Sequence, residues 1–83
     1  MSAQPQIAQT VLSMLQQVIG TATPLNLESS LLGAVAEFDS SAILAILTML
    51  EDLYGIIFDD EDLEAKHFAS VQTLVAFVHQ KLN

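Results

Sequence analysis

Asp39-Ser40-Ser41-Ala42-Ile43-Leu44-Ala45-Ile46-Leu47-Thr48-Met49-Leu50-Glu51-Asp52 is the stretch on which the fold turns. An aspartate and a serine lead straight into an apolar run from Ala42 to Leu50, which closes on two acids. Such residues satisfy the free N–H groups of a first helical turn, so the pattern predicts a helix from Ser40 to about Tyr54, stopped by Gly55. The Ser40 hydroxyl then stands at the positive end of that helix, at the surface, where an attached anion is stabilised. Ile43, Ile46, Leu47, Leu50 and Tyr54 fall on one side of the helix; Ser41, Leu44, Ala45, Thr48 and Asp52 fall on the other. Leu44 and Ala45 make that outer side apolar, which suits a docking surface.

Upstream, Ile7, Val11, Leu12, Leu15, Val18 and Ile19 recur at three- and four-residue steps between glutamines and serines, which predicts an amphipathic helix over 4–19. Gly20 and Pro24 end it and begin a long loop. That loop holds Leu25, Leu27, Leu31, Leu32 and Val35, too much apolar surface to leave in water, so parts of it must lie across the other elements. Downstream, a short acidic helix fits 60–66. A last helix over 70–82 starts at Ser70 as its N-cap and buries Val71, Leu74, Val75, Val78 and Leu82. The expectation is an all-α four-helix bundle, one domain over residues 1–83, with a long loop between helices 1 and 2 and a short third helix.

The chain has 83 residues, 52% of them apolar, and no cysteine, so packing alone must hold the fold. A net charge of −8, with Lys66 and Lys81 the only strong bases, argues against nucleic acid as a partner. The amino-terminal segment lacks the basic residues and apolar stretch of a secretory leader, and no apolar run approaches bilayer length. A cytoplasmic monomer without membrane insertion is expected.

Asp39-Ser40, an apolar helix ending Leu50-Glu51-Asp52-Leu53-Tyr54, an acidic Asp59-Asp60-Glu61-Asp62 turn and a closing helix opened by Ser70-Val71 together resemble an acyl carrier protein over nearly the whole chain. The resemblance implies that Ser40 is esterified with 4'-phosphopantetheine, taken from coenzyme A by a phosphopantetheinyl transferase, with Asp39 as the adjacent recognition residue. It also implies an acyl- or aminoacyl-loading ligase and an acceptor transferase as partners, and no catalysis by the chain itself. Ser41, Leu44, Ala45, Thr48 and Asp52 are the expected docking positions.

The family pattern commonly has a small residue before the aspartate and leucine or methionine after the serine; here they are Phe38 and Ser41. Outer positions of helix 2 that often carry acids in fatty-acid synthesis carriers are Ala42 and Ala45. Ser30-Leu31-Leu32-Gly33, Glu37-Phe38-Asp39-Ser40 and Asp59-Asp60-Glu61 look closer to carriers associated with bacterial exosortase and polysaccharide-export systems, which implies a dedicated carrier rather than the housekeeping carrier of lipid synthesis.

The competing reading is an unmodified helical adaptor that binds a partner through the outer face of helix 2. No metal site is expected. The acids from Asp59 to Glu64 lack the glycine and the terminal glutamate of a calcium loop, and His67 and His79, both expected at the surface, are too few. Nothing beside Ser40 resembles a catalytic triad or an oxyanion loop.

Overall fold

The computed structural model describes residues 4–20, 24–36 and 38–82. Three α-helices, α1 (Gln4–Ile19), α2 (Ser40–Tyr54) and α3 (Val71–Leu82), make up most of them. Helix α1 packs against both α2 and α3. Ile7, Val11 and Leu15 of α1 meet Ile46 and Leu50 of α2 and Val71, Leu74 and Val78 of α3 in one core of almost completely buried side chains. The three-four spacing of those residues is the sequence cause of this packing. Gly55, at a φ of 67°, ends α2 in the left-handed conformation that glycine adopts without a Cβ penalty, and its N–H donates to the Glu51 carbonyl.

The short third helix expected over 60–66 is instead two single 3-10 turns, Asp60–Asp62 and Ala65–Phe68. Five carboxylates between residues 59 and 64 repel one another along any common helix, and a segment this short has no propagation to offset nucleation. Its fixed points are side chains. Asp62 accepts the Asp59 N–H at 2.8 Å and Lys81 Nζ at 2.9 Å, and the Lys81 ammonium also lies 5.7 Å from the centre of the Phe58 ring. Phe58 packs on Phe77 at 5.4 Å between centroids, and Phe68 is buried. His67, expected at the surface, is half-buried and stacks on Phe77 with centroids 4.0 Å apart. Leu82, expected in the core, is 37% exposed because it lies in the last turn of α3, beyond the packed residues.

The loop before α2 is anchored by its backbone. The Ser29 and Leu27 carbonyls accept the N–H groups of Val71 and Gln72, and the N–H groups of Leu31 and Leu32 donate to the carbonyls of Ala69 and Phe68. Two of the N–H groups that begin α3 are thereby satisfied from another part of the chain. Ser70 satisfies a third: its Oγ accepts the Thr73 N–H at 3.2 Å while Thr73 Oγ1 accepts the Ser70 N–H. This pairing drops Leu31 into the core with no exposed surface.

Truncating Leu31 to Ala is therefore expected to cost about 3 kcal/mol in urea unfolding, as for a large aliphatic group removed from a closed site. A second expectation concerns acid. The hydrogen bond from the Asp59 N–H and the Lys81 ammonium lower the Asp62 pKa below its ordinary value, against a smaller opposing effect of desolvation. A carboxyl lowered in the folded state contributes stability above its unfolded pKa and loses it as pH falls through the folded one. Unfolding midpoints measured down through the acid range should fall less steeply for Asp62→Asn than for the wild type.

Candidate functional site

The start of α2 divides two tasks between neighbouring side chains. Asp39 has extended backbone angles and its Oδ1 accepts the Ala42 N–H at 3.0 Å, while its carbonyl accepts the Ile43 N–H. The cap is thus the aspartate, and Ser40, which the sequence suggests as a capping hydroxyl, is the first helical residue. Its geometric reason is simple: the capping oxygen must come from the residue just outside the helix. The Ser40 side chain is exposed and makes no hydrogen bond among the described residues. Its hydroxyl is free at the positive end of a 15-residue helix.

Ser40 opens onto a groove of about 400 Å3 whose other walls are Leu32, Ile43, Leu44, Leu63, Ala65 and Phe68. Four segments build it: the loop before α2, α2 itself, the residue after the first 3-10 turn, and the second 3-10 turn. The lining is almost wholly apolar, and Leu32, Leu44 and Leu63 are 40%, 57% and 44% exposed. Phe38 is buried beneath it with its ring centre 6.4 Å from that of Phe68. A bulky residue before Asp39 therefore serves as core and leaves the serine accessible.

Of the expected docking positions, Ser41, Leu44, Thr48 and Asp52 are exposed and Ala45 is half-buried, all on the outer side of α2. Ala42, read as an outer position, is buried at 5% exposure, since it faces the core one turn before Ile46. Sequence reasoning missed Leu32, Leu63, Ala65 and Phe68 as groove residues. The only signal was the presence of apolar side chains inside otherwise polar connections. Among the described residues no cluster of acids and histidines could hold a metal ion, and no helix is long and apolar enough to cross a membrane.

A free serine hydroxyl at the capped start of α2, opening onto an apolar groove in an all-helical domain, is the architecture of a carrier. Residues 9–78 match the family model described as a phosphopantetheine attachment site, and the chain belongs to that family, in its acyl carrier protein branch. It is accordingly a carrier and not a catalyst, and its cofactor is covalently bound 4'-phosphopantetheine. Among solved structures the chain is similar to the solution structure of a holo acyl carrier protein from Nitrosomonas europaea, with 29% identity, 99% of this chain and 98% of that chain covered, and a TM-score of 0.68. Comparison with the curated proteins gave no match.

The residues present fit the cofactor. The backbone N–H groups of Ser40 and Ser41 have no hydrogen-bond partner among the described residues, so a phosphodiester at this end of α2 would find donors and a favourable dipole. The groove beside Ser40 has the apolar lining that an arm or its cargo could rest against.

Because the cap belongs to Asp39, Asp39→Ala is expected to lower unfolding stability by about 1 kcal/mol, whereas Ser40→Ala should change it by a few tenths at most. Parallel urea titrations of the two variants check the order.

Proposed function

We propose that this chain, as a single carrier domain over residues 1–83, bears its 4'-phosphopantetheine on Ser40 and holds acyl or aminoacyl cargo as a thioester on that arm. The observation that carries the choice of serine is that Ser40 lines the groove while Ser41, also exposed, does not. In the loading step the Ser40 oxygen bonds to the phosphorus that carries the pantetheine in coenzyme A, adenosine bisphosphate leaves, and the hydroxyl proton passes to a base of the transferase. The arm supplies a thiol, which this cysteine-free chain lacks. Asp39 fixes the first turn of α2, so that the Ser40 oxygen is offered in one place, and serves as the adjacent recognition residue.

Partner enzymes would dock on Ser41, Leu44, Ala45, Thr48 and Asp52. Between Ser41 and Thr48 this face carries no acid, unlike the acidic face expected of a fatty-acid synthesis carrier. That difference supports a specialised pathway, served by a dedicated acyl- or aminoacyl-loading ligase and an acceptor transferase, such as the resemblance to carriers of polysaccharide-export systems implies. The carrier would act in the cytoplasm.

Intact-protein mass after incubation with coenzyme A and a broad-specificity phosphopantetheinyl transferase tests the assignment. The wild type and Ser41→Ala should each gain one phosphopantetheine, mapped to Ser40 by fragmentation, and folded Ser40→Ala should gain none. A gain retained in Ser40→Ala and lost in Ser41→Ala would overturn it.

A further inference from the structure

The apolar walls of the groove beside Ser40 differ in burial. Leu32, Leu44, Leu63 and Ala65 are exposed and Ile43 is half-buried, so these five form its rim and sides. Phe68 alone of the lining is buried, at 2% exposure, and its ring is therefore the floor. Phe38 and Phe77, the rings that it meets on the core side, are buried as well.

That floor is braced by three other rings. Phe38, Phe77 and His67 place their centroids 6.4, 6.2 and 6.5 Å from the Phe68 centroid, all within the range at which aromatic pairs attract. Phe77 is fixed in its turn, stacked on His67 at 4.0 Å and packed on Phe58 at 5.4 Å. The backbone of Phe68 is also held, because its carbonyl accepts the Leu32 N–H at 3.1 Å. An unbranched, flexible side chain at this place could turn aside and let a guest chain through. A flat ring wedged among three others moves only by pushing packed side chains off their rotamers.

We propose that Phe68 closes the groove against the core and so limits the length of the acyl group that the arm can shelter. The cargo class is then short acyl groups, whose few methylenes find cover on Leu32, Leu44 and Leu63, while the tail of a long fatty chain would be left in water. Phe38, the bulky residue ahead of Asp39, backs the floor. The relevance to cargo rests on Ser40 as the attachment residue, since an arm rooted there starts at this groove.

The test is NMR titration of the full-length, isotopically labelled, unmodified chain with free S-acetyl-, S-butyryl-, S-hexanoyl- and S-octanoyl-pantetheine. It needs no loading, so a failed Ser40 assignment, read separately from the mass of the transferase product, leaves its result standing. Each methylene that finds apolar cover tightens binding about fourfold. Wild-type affinity should rise from acetyl to butyryl yet change less than about twofold from hexanoyl to octanoyl, with shifts confined to the rim and sides of the groove. In Phe68→Ala that last step should gain about tenfold, and shifts should reach Leu74 and Phe77 in the core. Phe68→Leu should gain an intermediate amount, and it decides the matter if circular dichroism shows that the alanine variant has lost its helices. No saturable binding of any member to the wild type, a wild-type gain of about tenfold at the last step, or an unchanged plateau in a folded Phe68 variant would overturn the proposal.

Discussion

The backbone pairing of residues 27–32 with residues 68–72 is the constraint on which the rest of the structure depends. It closes the amino-terminal end of α3, whose free N–H groups would otherwise need other acceptors. It also brings Leu32 and Phe68 together in the lining of one groove and leaves Leu31 fully buried. Without it, α2 would present Ser40 to open water. With it, Ser40 stands at the mouth of a walled apolar groove, and Leu32, Leu63, Ala65 and Phe68 of its wall come from outside the α-helices.

A second principle is separation of duties over a very short distance. Asp39 supplies the capping bond that starts α2, so Ser40 owes nothing to the helix and its oxygen is available for chemistry. Phe38, just before Asp39 in the chain, goes into the core. Three consecutive residues therefore pack, cap and present, in that order, and the last is held in position by the two before it.

Much of this was legible in the sequence where the chain is periodic. The buried faces of α1, α2 and α3 follow from apolar residues at three- and four-residue steps, and Asp39-Ser40 marked the start of α2. The connections were less legible for a physical reason. Residues 60–66 have the length and composition of a short helix, but mutual repulsion among carboxylates and the anchors at Phe58, Asp62 and Phe68 favour isolated turns. The groove walls Leu32, Leu63 and Ala65 have no period to reveal them, because they come from irregular segments brought together by backbone hydrogen bonds between distant parts of the chain. The stacking of His67 on Phe77 is of the same kind: composition suggested solvent, and only the tertiary position of Phe77 decides otherwise.

The pairing of the loop with the start of α3 also bears on how the protein assembles. Ser29 and Val71 are far apart in sequence, so joining them closes a long loop and carries a chain-entropy cost that no single helix incurs in forming. Helical contacts are local and form fast, whereas contacts of high sequence separation slow folding. The three helices can consequently exist before the groove does. A nascent chain would display Ser40 ahead of the walls around it, and the groove would become complete only when residues 27–32 have met residues 68–72.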